Sequence, residues 1–173
     1  VRAGVKVFGI AVESGSPQMQ KHIRKNVNFD KVREVVKIMK SKNLHVHICW
    51  MLGFPNETLQ QINSTIDFAR ELRAHSNQFM TVLPYPGTKL FEEARNTDLL
   101  MSPDDDLDRY DNRKCDYLKS DEWNSTQLQE MGYDANIELN FLNNPCLDTV
   151  EDRDYILREF EDLLLTLPEH IIL

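Results

Sequence analysis

A carboxylate and a hydroxyl stand side by side where an apolar run of the sequence ends. Glu13 and Ser14 follow residues 5–12 and precede Gly15. A carboxylate accepts hydrogen bonds and attracts cations, whereas a hydroxyl both donates and accepts. Such a pair could bind a ligand at the mouth of a parallel sheet, or Glu13 could only cap the following helix. These residues alone leave both interpretations open.

Two further loops of unusual composition follow later apolar runs. Residues 53–57 read GFPNE, and residues 84–88 read PYPGT around Tyr85. Glycine lets the backbone approach a ligand closely, and proline stiffens a turn. Ligands bind where parallel strands end, because loops and helix N-termini gather there. The pattern therefore favours one shared site at three strand ends, with three ordinary well-capped turns as the alternative.

The middle apolar run, residues 45–52, carries a second candidate set. Strand alternation places Val46, Ile48, Trp50 and Leu52 on one face, which should meet the helices. The other face carries His45, His47 and Cys49, whose imidazole and thiolate groups suit zinc. Successive residues on one strand face are too far apart to surround one ion easily. A polar, substrate-facing interior and simple packing therefore remain as alternatives to a metal site.

Strand and helix signals alternate through residues 1–97. Residues 5–12, 45–52 and 79–85 have the apolar, β-branched character of strands, and the first run is typical of a strand covered on both faces. Asn28, Thr58 and Thr88 each precede a helical apolar pattern and are predicted N-caps. A β-α-β-α-β-α order with short links predicts an α/β fold with parallel strands.

The pattern changes in residues 98–173, which we assign to a C-terminal extension. Asp104, Asp105 and Asp106 fall in a polar stretch that indicates a solvated loop, since the spacing of a calcium-binding loop is absent. Residues 137–142 fit either a short strand or a helix. An amphipathic helix is predicted near the end from Ile156, Phe160, Leu163, Leu164 and Leu167.

Composition excludes several classes of protein. The chain has 173 residues and a net charge of −8, which argues against a protein that binds nucleic acid non-specifically or an anionic membrane. No apolar stretch is long enough to span a membrane. Cys49, Cys115 and Cys146 are too few and too dispersed for a disulfide scaffold, so we expect a cytoplasmic protein. The chain does not begin with methionine, which suggests a piece of something longer.

Three segments in order resemble one known family. VESGSP at residues 12–17, MLGFPNET at 51–58 and LPYPGTKLF at 83–91 resemble the fourth, fifth and sixth strand ends of radical S-adenosylmethionine (radical SAM) enzymes. The group often joined to a cobalamin-binding domain is the most similar. Residues 140–145, NFLNNP, resemble more loosely the segment on the C-terminal side of the barrel in that group.

The resemblance implies half of a partial (β/α)6, TIM-like barrel that borders S-adenosylmethionine. In the family an iron–sulfur cluster cleaves this cofactor reductively to a 5′-deoxyadenosyl radical, which abstracts hydrogen from the substrate. Glu13 and Ser14 would face the ribose hydroxyls or the methionyl amino group. The other residues implied to border the cofactor are Gly53, Glu57, Leu83, Pro84 and Tyr85.

The sequence departs from the family pattern in one decisive respect. The CxxxCxxC motif that binds the cluster is absent, and so are the first three strands of the barrel. We therefore expect a chain that is inactive alone, with the N-terminal half of the barrel as its partner, or self-association through an open sheet edge. For the parent enzyme the resemblance implies an iron–sulfur cluster and S-adenosylmethionine, with cobalamin and methyl transfer as the narrower expectation.

Two other functions remain as alternatives. The chain could be a non-catalytic binding or assembly module that uses the exposed edge of the half barrel. It could also be a metal hydrolase that uses His45 and His47. The substrate lies outside what the sequence predicts, because specificity in such barrels depends on loops and appended domains.

Overall fold

The computed structural model describes residues 3–101, 117–147 and 149–161. Three strands and six α-helices are found in these ranges. They are, in chain order, β1 (Val7–Glu13), α1 (Pro17–His22), α2 (Phe29–Ser41), β2 (His45–Leu52), α3 (Leu59–Leu72), β3 (Ser76–Thr81), α4 (Lys89–Asn96), α5 (Ser125–Ile137) and α6 (Val150–Glu159). A π-helical turn, Glu138–Leu142, continues α5.

The three strands form one parallel sheet in the order β1-β2-β3. The predicted α/β fold with parallel strands alternating with helices is confirmed. The predicted caps are also confirmed, since Asn28, Thr58 and Thr88 each accept a hydrogen bond from a backbone N–H in the first turn of their helix. Thr58 forms a complete capping box with Gln61.

The core lies between the sheet and helices α2 and α3. Val46, Ile48, Trp50 and Leu52 are all at most 1% exposed, so the predicted apolar face of β2 does meet the helices. The indole N–H of Trp50 donates to Asn77 Oδ1 at 3.0 Å, which satisfies its only polar group. Side chains from the C-terminal region, among them Leu128 and Leu139, belong to the same core.

The edge of β3 is covered by side chains instead of a strand. Asn136 accepts from Phe79 N (2.9 Å) and donates to Phe79 O (3.0 Å). Asn140 makes the same pair of hydrogen bonds with Asn77, both at 2.7 Å. We call Asn136, Asn140 and Asn144 the asparagine ladder; Asn144 adds a hydrogen bond to a backbone carbonyl just before β3. The ladder satisfies backbone groups that an edge strand would otherwise leave unpaired.

Two details of the sequence prediction need correction, and one open alternative is resolved. The third strand is Ser76–Thr81 and not residues 79–85. It begins earlier because its first polar residues have hydrogen-bond partners: Ser76 contacts His45, and the backbone N–H of Asn77 donates to Asn140. Residues 137–142, for which the sequence left a strand and a helix open, are helical. The first strand is not covered on both faces by the described residues, since Val7 and Phe8 are 38% and 37% exposed.

Two predictions concern residues outside the described ranges. The first is the solvated loop with Asp104, Asp105 and Asp106, and the second is the last part of the C-terminal amphipathic helix. The first part of that helix is described as α6, in which Ile156 is buried. The division between residues 1–97 and 98–173 stays a prediction. Among the helices described, none has the length and apolar character needed to cross a bilayer.

Candidate functional site at the carboxyl edge of the sheet

The carboxyl ends of all three strands meet at one edge of the sheet. β1 ends at Glu13, β2 at Leu52 and β3 at Thr81, and both strand pairs are parallel. The backbone pairing continues one step beyond β3, where Val82 N donates to Leu52 O at 2.9 Å. The three loops singled out in the sequence therefore leave the sheet on the same side.

Glu13 has an unusual backbone conformation. Its φ is 70°, in the left-handed region that non-glycine residues seldom adopt, and the register of β1 against β2 shifts between Ala11 and Glu13. The carboxylate accepts from Lys25 Nζ at 2.7 Å, and the Glu13 side chain is 19% exposed. Glu13 is not the cap of the next helix, because Ser16 caps α1. Left-handed residues of this kind often mark functional sites.

Ser14 is placed differently from its neighbour. Its hydroxyl is buried, lies 3.1 Å from Thr65 Oγ1 and accepts a hydrogen bond from Ser16 N at 3.1 Å. Gly15 lies so close to α3 that a Cβ there would be 2.7 Å from Ser64 O. In this structure the Ser14 hydroxyl fastens the β1 loop to α3, and its contact with a ligand stays a prediction.

Gln20 is a residue of the site that the sequence analysis missed. Its side chain is buried and its Nε2 donates to Val12 O (2.8 Å) and Ser14 O (2.5 Å). Its Oε1 accepts from Val27 N at 3.1 Å. A glutamine in a short polar helix gives no signal of this role, because its partners are backbone groups brought near only by the fold.

The β2 loop is tightly packed. Gly53 has a φ of 86°, and a Cβ at this position would be 2.4 Å from Leu128 Cδ2. Glu57 Oε2 accepts from the backbone N–H of Gly53 at 2.7 Å and from that of Phe54 at 3.1 Å. Trp123 Nε1 donates to the backbone oxygen of Glu57 at 2.8 Å. The C-terminal region therefore covers this loop.

Glu57 is a fully buried carboxyl group with one oxygen unused. Its side chain is 0% exposed, and Oε1 has no hydrogen-bond partner among the described residues. Burial raises the pKa of Glu57 to about 7, although the two backbone N–H groups act in the opposite direction. Most buried polar atoms are satisfied, so an orphaned carboxyl oxygen next to a predicted ligand loop is unusual.

The β3 loop contributes backbone and one aromatic ring. Leu83 and Pro84 are buried, whereas Tyr85 is 46% exposed at the loop. Tyr85 N donates to Leu83 O, and Thr88 Oγ1 donates to Tyr85 O at 2.7 Å. These contacts fix the loop as a tight turn ahead of α4.

The inner face of the sheet, opposite helices α2 and α3, is half-buried and chemically mixed. We define it by the side chains that the strand register places together in its middle: His47, Cys49, Met51, Gln78 and Met80. This composition fits the predicted polar interior. Burial, followed by the charge of Glu13, raises the pKa of the Cys49 thiol, while Lys25 acts in the opposite direction.

A histidine cluster lies towards the amino end of the strands. Ser76 Oγ is 3.0 Å from His45 Nε2 and 2.8 Å from His47 Nδ1. Burial lowers the pKa of His45 to about 4, helped by the charge of His75, and the ring of Tyr155 packs against it. Within residues 3–101, 117–147 and 149–161, no three His, Cys, Asp or Glu side chains could hold a metal ion.

The polar groups at the carboxyl edge include a carboxylate, but the three loops there contain no cysteine. Glu13 offers a partly exposed carboxylate, and the β2 loop has an orphaned polar atom. By contrast, Cys49 lies within β2, whereas the Cys146 thiol contacts Lys40 and Arg73 O, near the amino end of β3. Cys115 lies outside the described residues. Among the described residues, Cys49 and Cys146 therefore do not belong to one iron–sulfur cluster site.

Comparison with known proteins relates the first part of the chain to a family. Residues 1–69 match the model of the Radical SAM superfamily. This segment contains β1, β2 and the first two of the three loops, so it includes Glu13 and the loop from Gly53 to Glu57.

Three relatives are named methyltransferases. An uncharacterized methyltransferase of Pyrococcus horikoshii is 38% identical over 95 residues, which are 55% of this chain and 20% of that protein. The cytidylyl-2-hydroxyethylphosphonate methyltransferase of Streptomyces wedmorensis is 23% identical over 145 residues, 80% of this chain and 27% of its own length. The bacteriochlorophyllide d C-12(1)-methyltransferase of Chlorobaculum tepidum is 26% identical over 96 residues, which are 55% of this chain and 21% of that protein.

The chain therefore spans between a fifth and about a quarter of the length of these relatives. The segment that matches the family model carries two of the three parallel strands, β1 and β2, and two of the three loops at the candidate site. Residues 1–69 thus match the Radical SAM superfamily, and relatives of the chain are methyltransferases.

Proposed function

We propose that this chain forms part of the S-adenosylmethionine pocket and of the substrate wall of a radical SAM enzyme. The observation that carries the proposal is the meeting of three loops at one edge of a parallel sheet, two of them inside the Radical SAM match. Glu13 supplies a carboxylate acceptor, and the loops that begin at Gly53 and Leu83 supply backbone.

Each residue has a distinct part in this proposal. Glu13 would accept hydrogen bonds from the ribose hydroxyls or the amino group of the cofactor, since its side chain is partly exposed. Gly53 and Glu57 would shape the wall beside the adenosine, and Pro84 with Tyr85 would close its other side. The half-buried inner face would contact the substrate.

The chemistry of the whole enzyme would come from groups that this chain does not hold by itself. Members of the superfamily use S-adenosylmethionine with an iron–sulfur cluster, which supplies a radical that abstracts hydrogen. The three cysteines of the chain do not fit a cluster, so we expect no radical chemistry from the chain alone. The residues of this chain would bind and orient the cofactor and keep water from the inner face.

Methyl transfer is the narrower part of the proposal. Three relatives are named methyltransferases. Two of these names give different substrates, and the third gives none. Cobalamin is the expected methyl carrier. The named substrates differ too much among the relatives to assign one to this chain.

Binding of adenosine tests the proposal directly. Chemical-shift titration of the chain should show weak, saturable binding, in the millimolar range expected for a ligand held by a few hydrogen bonds (about −4 kcal/mol). Glu13→Gln should weaken binding by roughly tenfold, as loss of a charged acceptor costs about 1.5 kcal/mol or more. Glu34→Gln, on the exposed surface of α2, is the matched control. Equal affinities for all three proteins would contradict the proposal.

A further inference from the structure

His75, the residue before β3, uses both its ring and its backbone to hold the amino end of β2. Its Nδ1 accepts a hydrogen bond from Val46 N at 3.1 Å, and its backbone N–H donates to Val46 O at 3.0 Å. Val46 belongs to β2. An imidazole nitrogen that accepts a hydrogen bond must have its lone pair free of a proton. The fold therefore requires an unprotonated Nδ1 on His75.

A row of aromatic rings continues from His75 to α6. The ring centroids of His75 and His45 are 4.9 Å apart, and those of His45 and Tyr155 are 4.1 Å apart. Asn144 of the asparagine ladder donates from Nδ2 to the backbone oxygen of His75 at 2.8 Å. We call His75 and His45 the histidine pair. Contacts with this pair hold parts of the C-terminal region at the amino end of the sheet.

A buried hydroxyl also constrains the protonation of the rings. Ser76 is 0% exposed, and its Oγ lies 3.0 Å from His45 Nε2 and 2.8 Å from His47 Nδ1. A hydroxyl has one proton, so it donates to one ring nitrogen and accepts from the other. If both nitrogens carried protons, the Ser76 proton would lose its acceptor on the rings, which is costly for a buried group. The geometry around Ser76 therefore favours at least one unprotonated ring nitrogen.

Other charged and titratable groups lie around the histidine pair. They are Lys40 on α2, His47 on β2, Asp152 and Tyr155 on α6, and Cys146, whose thiol is 3.4 Å from Lys40 Nζ. Burial, followed by the charge of Lys40, lowers the pKa of His75, whereas Asp152 acts in the opposite direction. Burial and then the charge of His75 lower the pKa of His45, although Asp152 Oδ1 lies 3.9 Å from its Nδ1. Asp152 therefore offsets only part of the cost of a proton on either ring.

We propose that the histidine pair is a proton-sensitive latch, which holds α6 and Asn144 against the sheet while both rings are neutral and releases them when His75 takes up a proton on Nδ1. The added proton faces the N–H of Val46, so two donors meet where a hydrogen bond was. A cation also forms next to His45, whose side chain is 9% exposed. The latch lies at the amino ends of the strands, so it is independent of the cofactor pocket proposed at their carboxyl ends.

The direction of the pH effect follows from the neutral rings. In the closed form the pKa of each ring lies below the ordinary value of 6.5, and opening restores that value. The open form therefore binds protons more readily, so the closed form is fully stable above pH 6.5 and is weakened as the pH falls below it. For each proton taken up, the ratio of open to closed chains should rise up to about tenfold for each pH unit.

Amide hydrogen exchange of the full chain tests the latch. Protection is compared at roughly pH 7.5 and roughly pH 5, after correction for the pH dependence of the intrinsic exchange rate. Val46 and Ile156, a buried residue of α6, should lose protection together by about tenfold or more. Ile66, buried in α3, should remain better protected than both, because the latch opens without global unfolding.

The variant His75→Asn separates the proton from the contact. The side-chain oxygen of asparagine can accept from Val46 N as Nδ1 does, but an amide takes up no proton in this pH range. This variant should keep Val46 protected at the higher pH and should lose about threefold less protection than wild type at the lower pH, or better. His22→Asn is the matched control and should respond like wild type, since His22 lies on α1 and pairs with Glu93.

The nitrogen chemical shift of His75 Nδ1 gives a readout on the wild-type chain that a merely structural role would not move. It should be that of an unprotonated ring nitrogen at the higher pH and should change to that of a protonated one as Val46 loses protection. A protonated Nδ1 at the higher pH would overturn the latch. Equal protection of Val46, Ile156 and Ile66 would also overturn it, as would a full response to pH in His75→Asn.

Discussion

The carboxamide of Asn140 pairs with the backbone of Asn77 as a neighbouring strand would, with two hydrogen bonds of 2.7 Å. Asn140 is 0% exposed, and its Nδ2 also donates to Asn136 O at 2.8 Å. A helix thereby closes the edge of a sheet without adding a strand. The opposite edge, on β1, has no such cover among the described residues.

Removing this carboxamide should destabilise the fold. Asn140→Ala leaves the N–H and the C=O of Asn77 buried without partners, and each unsatisfied group costs about 1–3 kcal/mol. We expect a loss of about 2–5 kcal/mol in the free energy of unfolding, measured by urea denaturation. Asn63→Ala, at an exposed position on α3, should change stability by less than about 0.5 kcal/mol. Similar values for both variants would show that the ladder does not hold the edge.

Gly53→Ala should be costly because of both its conformation and its surroundings. The φ of 86° disfavours any side chain, and the new Cβ would be 2.4 Å from Leu128 Cδ2. We expect destabilisation of about 2–4 kcal/mol, since strain and overpacking each cost about 1–3 kcal/mol. Gly87→Ala isolates the conformational part, because its φ is 82° but nothing lies within 4 Å of the added Cβ. If the two variants were equally stable, contact with Leu128 would carry no cost.

Glu57→Gln should change the pH dependence of stability. The pKa of Glu57 is about 7 in the folded chain against the usual 4.5, so folding favours the protonated form. Its contribution to stability is complete below pH 4.5 and is lost as the pH rises through 7. Glutamine keeps the acceptor for Gly53 and Phe54 and carries no charge. The variant should therefore gain on wild type between pH 4.5 and 8 by up to about 3 kcal/mol. If the difference in the free energy of unfolding between Glu57→Gln and wild type were the same at every pH in this range, the raised pKa of Glu57 would be contradicted.

The open edge of β1 should promote association of the chain in solution. Val5, Val7 and Phe8 are 44%, 38% and 37% exposed, and exposed strand edges recruit other strands. Because the ladder covers the β3 edge, association should stop at a pair of chains. Light scattering should show a dimer that Phe8→Lys or Lys6→Pro dissociates. A monomer at every concentration tested would mean that the exposed edge is tolerated.

The elements of the fold could be predicted because local signals for them were strong. Each of the helices α2, α3 and α4 had its capping residue, and the alternation of β2 separated the core face from the inner face. The edge of the sheet where the site lies also followed from the order of strands and helices. Only the direction of the strands was needed to bring Glu13 and Gly53 to the same edge.

The contacts that hold the site could not be predicted, since they depend on tertiary structure. Gln20, Asn136 and Asn140 resemble ordinary polar residues of surface helices, yet each binds backbone groups of a strand or loop outside its own helix. The backbone oxygen of Glu57 accepts a hydrogen bond from Trp123, 66 residues later in the chain. Likewise the sequence did not predict the ion pair of Lys25 with Glu13, because it depends on a loop in which Arg24 and Asn26 have left-handed conformations.

A residue map of adenosine binding would decide whether the three loops form one site. Backbone amide shifts of the isotope-labelled chain are followed during a titration with adenosine. We predict saturable changes at Glu13, Gly53 and Tyr85 together, with a single dissociation constant, and none at Leu44 or Ala74 beside the amino ends of β2 and β3. Changes confined to one loop, or located at the amino ends, would contradict a shared site at the carboxyl edge of the sheet.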